Sequence, residues 1–217
     1  MLADKDHTFF DTLIEHHISG QLKVAPEHCS SSVLRCMGKP DIRVYDRFRE
    51  LFFRKTKALG KEQYLVPYLM SSHPGSTLND AIELAVYLRR NKLNPEQVQD
   101  FYPTPGTAST CMFHTGLDPF TMQPVYVPRS YEEKRRQRAL LQSARPENYD
   151  IVRRALEQAG RTDLIGYGPE CLIRPTKTPP RREKSAAPMA SPRAKERVPG
   201  SAPRGGKATA PGRAKKG

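Results

Sequence analysis

Three short segments carry the residue types that binding or catalysis needs. Glu27 follows "KVAP", Ser71, Ser72 and His73 open "SSHPGS", and Phe101 and Tyr102 open "FYPTPGT". Each stands where a strand-like run stops, beside Pro or Gly, which end regular structure and permit a sharp turn. Aromatics at such an edge can stack on a ring, and the small residues after them leave room for close approach of a ligand. Ordinary roles compete at every position. Glu27 can cap the helix in "SSSVLRCM", Ser71 and Ser72 can be plain turn residues, and His73 can serve structure alone beside Pro74. Phe101 and Tyr102 can belong to the core, and strand alternation turns only one of them to a given face.

Metal chemistry finds little support. Cys29, Cys36, Cys111 and Cys171 form no CxxC pair and match no zinc spacing. Cys29 lies beside the rim, as a substrate contact or a small buried thiol, and the other three read as structural. His16 and His17 are adjacent on a helix and do not face one another, which argues against a ligand pair. The apolar stretches fall far short of the ~20 residues of a membrane span, so free thiols in a reducing cytoplasm are the expectation.

The elements that position these groups alternate. "DKDHTFFDTLIEHHISG" puts Phe9, Phe10, Leu13, Ile14 and Ile18 on one helical face, with Gly20 as the stop. "QLKVAP" is a short strand, and "CSSSVLRCMGKP" gives one or two helical turns. Asp41 caps a helix carrying Tyr45, Phe48, Phe52 and Leu59 inward, up to Gly60. "EQYLVPYLM" has strand length. Thr77 and Asp80 then form a capping box for a helix that buries Leu78, Ala81, Ile82, Ala85 and Leu88. "QVQDFY" is a third strand. This order predicts an α/β fold with a parallel sheet. "LDPFTMQPVYVPRS" reads as a Pro-rich connector. Ser130 and Glu133 then open the basic helix "YEEKRRQRALLQ", and Pro146 begins a last helix that Gly160 stops.

Charge is concentrated at one end. From Arg174 onward there are 13 Lys or Arg against 2 acidic residues, a net +11 of the chain's +13, with 8 Pro, 5 Gly and no aromatic. A segment so polar cannot bury enough apolar surface to offset the entropy of ordering, so a disordered tail is predicted. The other 173 residues carry 23 basic and 21 acidic groups and are close to neutral. The tail either solubilises the chain or binds RNA or acidic lipid weakly by charge; without aromatics it offers no base stacking.

The segments "LKVAPEHCSSSVLRCMGKP", "LVPYLMSSHPGSTLNDAIELAVYL" and "VQDFYPTPGTAS" resemble, in order and spacing, the fourth, fifth and sixth strands of a radical SAM barrel. Their wording is similar to that of the YgiQ-type radical SAM family, and "GLDPFTMQPVYVPRS" through "GPECLIRP" resembles its C-terminal extension. The resemblance implies the C-terminal half of a partial TIM-like barrel over 1–111, a helical extension over 112–173 and a disordered tail over 174–217. It implies S-adenosylmethionine at the barrel's C-terminal rim, a four-iron four-sulfur cluster, and a 5′-deoxyadenosyl radical acting on an unknown substrate. By the resemblance, Glu27 faces the ribose or the methionine amino group. Ser71, Ser72 and His73 lie near ribose and methionine, although "SSHPGST" departs from the family's "G.PGET" form, and Phe101 and Tyr102 flank the adenine.

The family's CxxxCxxC motif, whose thiolates hold the cluster, has no counterpart in the sequence. The expectation is therefore a fragment that lacks the front half of the barrel and is inactive alone, completed by its own gene or by a partner chain. Half a barrel also leaves strand edges unpaired. The alternative is a cluster-free interaction module that binds RNA through the "KRRQR" helix and the tail, with steep salt dependence.

Overall fold

The computed structural model describes residues 8–175. The tail read as disordered lies outside the described residues from position 176. The chain starts with α1 (Thr8–Thr12), which widens into a π turn (Leu13–His17) and leads to β1 (Gln21–Glu27). Next come α2 (Ser31–Cys36), α3 (Ile42–Ala58), β2 (Tyr64–Ser71), α4 (Leu78–Arg90) and β3 (Gln99–Asp100). Helices α5 (Ala108–Thr115), α6 (Tyr131–Leu141) and α7 (Tyr149–Gln158) complete it.

The sheet is parallel, in the order β1-β2-β3, as helical crossovers between strands require. Gln21 pairs with Tyr64 and Val24 with Pro67; the register slips before Glu27, which pairs with Leu69. The fold class expected from the alternating elements is thus observed: α/β with a small parallel sheet.

Two apolar clusters hold the structure. Phe10, Ile14 and Ile18 pack with Phe48, Leu51 and Phe52 of α3, and Leu22, Val24 and Leu65 of the sheet lean on them. The second joins Leu69 and Leu84 with Leu140 of α6 and Val152 and Leu156 of α7. The helices after residue 130 therefore share one core with α4 and β2.

The opposite face of the sheet is open. Lys23, Tyr64 and Tyr68 are exposed there, with Lys23 Nζ 5.9 Å from the Tyr68 ring centre. β1 is also an edge strand.

Local signals predict the boundaries well. Asp41 accepts from the Arg43 N–H, Thr77 with Asp80 and Ser130 with Glu133 form capping boxes, and Gly60 and Gly160 take left-handed φ. Four details differ. The first helix is partly π, and Phe9 is exposed while Phe10, Ile14 and Ile18 are buried. Leu59 sits past the end of α3 and is exposed. The third strand shrinks to two residues, because Pro103 and Pro105 follow it closely. A helix absent from the sequence reading, α5, follows the Pro-Gly turn, capped by Thr107 and stopped by left-handed Gly116.

Candidate functional site

Parallel strands bring their carboxyl ends to one edge, so Glu27, Ser71 and Asp100 end β1, β2 and β3 together. Two residues at these ends occupy the left-handed region that only glycine enters easily: Glu27 at φ 67° and Ser72 at φ 64°. Such strain persists only where surrounding contacts impose it, and it gathers at binding sites. The Glu27 carboxylate lies 3.5 Å from Lys39 Nζ, and that ammonium also donates to the Ala25 carbonyl at 2.8 Å. Gly75, at φ 92°, is needed: a Cβ there would stand 2.8 Å from Cys36 Sγ.

The loop after β2 is buried and tightly bonded. Ser71 Oγ donates to Asp100 Oδ1 at 2.5 Å, and Asp100 also accepts from Arg138 Nε at 3.0 Å. The Phe101 N–H donates to the Ser71 carbonyl, extending β3 by one bond. His73 Nδ1 faces the Pro74 carbonyl at 2.7 Å, so it must carry the proton, and Nε2 accepts from Ser109 Oγ at 2.8 Å. Burial pushes the His73 pKa down, partly offset by the Pro74 carbonyl. The Ser72 N–H donates to Gln137 Oε1 at 3.0 Å, yet the Ser72 hydroxyl, though buried, has no hydrogen-bond partner among the described residues.

Alternation separates the two aromatics. Phe101 is 9% exposed and meets the His73 ring edge-on at 5.0 Å, and it packs on Phe113 at 5.7 Å. Tyr102 is 77% exposed.

Sequence reasoning passed over His28, Asp100, Gln137 and Arg138. His28 follows Glu27 directly and is buried. Its Nδ1 accepts from the Ser30 N–H at 3.0 Å, so the neutral ring carries its proton on Nε2, which makes no hydrogen bond among the described residues. Burial pushes its pKa down to about 4, opposed by the Asp80 carboxylate and reinforced by His73. Asp80 itself gathers the hydroxyls of Ser30, Ser32 and Thr77. Desolvation pushes its pKa up, but these bonds outweigh that and hold it below the usual carboxylate value. Cys29 is buried and its thiol is pushed up to about 12, mainly by desolvation, so it stays protonated.

Asp100 is the shared acceptor at the end of β3. Asp100→Ala should lower stability by about 1–3 kcal/mol, because it leaves the buried Ser71 hydroxyl without its acceptor and removes the ion pair with the half-exposed Arg138. Urea unfolding checks this; a midpoint equal to the parent's would show that the bridge contributes nothing.

The basic face of α6 is engaged within the chain. Lys134 lies 5.3 Å from the Phe113 ring centre, Arg135 pairs with Glu132, Arg136 Nη1 donates to Gln158 at 2.8 Å, and Arg138 pairs with Asp100. Among the described residues no three His, Cys, Asp or Glu side chains are grouped to hold a metal ion. Among them, too, no helix is long and apolar enough to cross a membrane.

Fold and site together define an α/β protein with a parallel sheet whose carboxyl-end loops form a buried polar rim, tied down by a later helix. Residues 96–216 match the family described as a domain of unknown function, DUF3362, and the chain belongs to that family. It is 67% identical over 174 residues to a UPF0313 protein of Clostridium perfringens (strain 13), covering 80% of this chain and 26% of that one. A UPF0313 protein of Clostridium botulinum (strain 657) is 58% identical over 173 residues, covering 80% of this chain and 27% of its own. UPF0313 is the YgiQ family, to which the strand-end motifs point. The chain spans about a quarter of the length of these curated relatives. No solved structure matches.

Proposed function

We propose that this chain forms the later half of a radical SAM barrel and that its rim binds S-adenosylmethionine. The rest of the barrel would come from a longer polypeptide or from a partner chain. One observation carries the reading: the Ser72 hydroxyl is buried and without a partner among the described residues, on a left-handed backbone at the sheet edge where Glu27 also ends its strand. A buried hydroxyl without a partner is costly, and a ligand that hydrogen-bonds to it removes the cost. The edge of β1, unpaired among the described residues, agrees with it, since a further parallel strand can add there.

The rim residues then divide the work. Ser72 offers its hydroxyl, and Glu27 accepts from ribose hydroxyls or from the methionine ammonium. Ser71 and His73, already bonded to Asp100 and to Pro74 and Ser109, shape the rim from beneath. Phe101 is committed to His73 and Phe113, which leaves Tyr102 as the exposed ring for the adenine. S-adenosylmethionine, when reduced by a bound cluster, supplies a 5′-deoxyadenosyl radical that abstracts hydrogen from a substrate. The described residues do not fit the four-iron four-sulfur cluster itself, for they bring no three His, Cys, Asp or Glu side chains together. Its ligands are assigned to the rest of the barrel.

S-adenosylmethionine titrated into the 217-residue chain, followed by backbone amide shifts, tests the reading. Saturable shifts are expected at Glu27 and Ser72, and Ser72→Ala and Glu27→Gln should each weaken binding about tenfold. Absence of saturable binding, both by this chain alone and by the same residues within a full-length relative, would sink the proposal.

A further inference from the structure

Gln137 stands on α6, 65 residues from Ser72 in the chain, yet among the described residues its side chain hydrogen-bonds to the loop between β2 and α4. Its Oε1 accepts from the Ser72 N–H at 3.0 Å and from Ser76 Oγ at 2.9 Å, and its Nε2 donates to the Ser76 carbonyl at 2.8 Å. A carbonyl cannot receive from a carbonyl, so these partners fix which way the amide points. The side chain is 2% exposed, and the residues after Arg138 on α6 are apolar. A leucine or methionine would fill the same volume, so packing alone does not call for an amide. What calls for it is the loop. The next residue, Arg138, holds Asp100 at the end of β3. Consecutive residues of one helix in the DUF3362 region thus tie down two successive strand ends.

We propose that Gln137 is a positioning residue: it holds the 72–76 loop so that Ser72 keeps its left-handed backbone and presents an unpartnered hydroxyl to a ligand. The holding of the loop stands on the geometry alone. The consequence for a ligand rests on the S-adenosylmethionine reading above.

Gln137→Glu gives a signature that a merely space-filling role would not. As a neutral acid the new side chain reproduces the pattern, its C=O accepting from Ser72 and Ser76 and its O–H donating to the Ser76 carbonyl. Once ionised it has no donor and sets a negative oxygen against that carbonyl, and burial raises the pH at which this happens.

Hydrogen exchange on the full chain, corrected for the intrinsic pH dependence of exchange, reads the difference. His73 within the loop and His28 beside it also titrate, so each variant is read against the parent at the same pH. On that ratio the protection of the Ser72 and Ser76 amides in Gln137→Glu should fall about tenfold between roughly pH 5 and pH 8. In Gln137→Leu it should be low at both pH values, with the amides of α4 and α7 as protected as in the parent. Loop protection equal to the parent's in both variants overturns the proposal, and so does a loss shared equally by α4 and α7. S-adenosylmethionine affinity measured on the same samples should follow loop protection. A released loop with undiminished affinity also overturns the proposal, whereas a parent that binds no S-adenosylmethionine removes the ligand reading and leaves the loop result to decide.

Discussion

Taking this protein from pH 7 to pH 4 is expected to cost about 3 kcal/mol of stability through His28 alone. The group is buried and its pKa falls from an ordinary 6.5 to about 4 in the folded chain. The sign follows from which state holds the proton. Above pH 6.5 the ring is neutral in both states and costs nothing. Between 6.5 and about 4 the unfolded chain binds a proton that the folded chain refuses, so stability drops as pH falls through that window. Below it both states are protonated and the penalty is constant. Geometry supplies a second reason for the refusal: a proton on Nδ1 would set that N–H against the Ser30 N–H, which now donates to it. His73, also pushed down by burial, adds a loss of the same sign.

His28→Asn keeps an acceptor near the Ser30 N–H but cannot titrate. Denaturant unfolding at a series of pH values should show the slope between pH 6.5 and 4 much reduced in this variant. A slope as steep as the parent's would mean that His28 is hydrated and titrates normally.

Leu140→Ala should cost about 2–5 kcal/mol, the range for an aliphatic side chain deleted from a packed interior. Leu140 is fully buried on α6, in the cluster that also holds Ile82, Leu84 and Leu88 of α4 and Leu156 of α7. The loss combines transfer of the side chain with the cavity left among neighbours that belong to both halves of the sequence. Because the core is shared, far-ultraviolet and tyrosine signals should move together in one transition with a lower midpoint. A variant in which the last helices melt first while the sheet stays folded would show that the two parts are held separately.

Local chemistry was readable from the residues in order. Asp41, Thr77 with Asp80, and Ser130 with Glu133 start their helices as hydrogen-bond rules demand, and Gly60 and Gly160 stop theirs, since a cap involves groups only a few residues apart. The alternation of strands and amphipathic helices likewise announced a parallel sheet, because period and crossover length are sequence properties. The strand ends were visible for the same reason to within one or two residues of Glu27, Ser71 and Asp100.

The site's internal wiring was not legible. Gln137 lies in "KRRQR", which reads as part of a basic helix, and only the docking of α6 on α4 buries it and brings it to Ser72. That Ser72 would keep a buried hydroxyl without a partner among the described residues, while Ser71 gave its own to Asp100, goes with a left-handed backbone whose N–H donates to a side chain 65 residues away. His28 shares this history: its sequence position is unremarked, and its neutrality comes from burial, reinforced by His73 and opposed by Asp80. Short-range hydrogen bonding and periodicity set the elements, whereas which polar groups end up dry, paired or unpaired is a property of packing, because desolvation is decided by everything that closes over a residue and not by its neighbours in the chain.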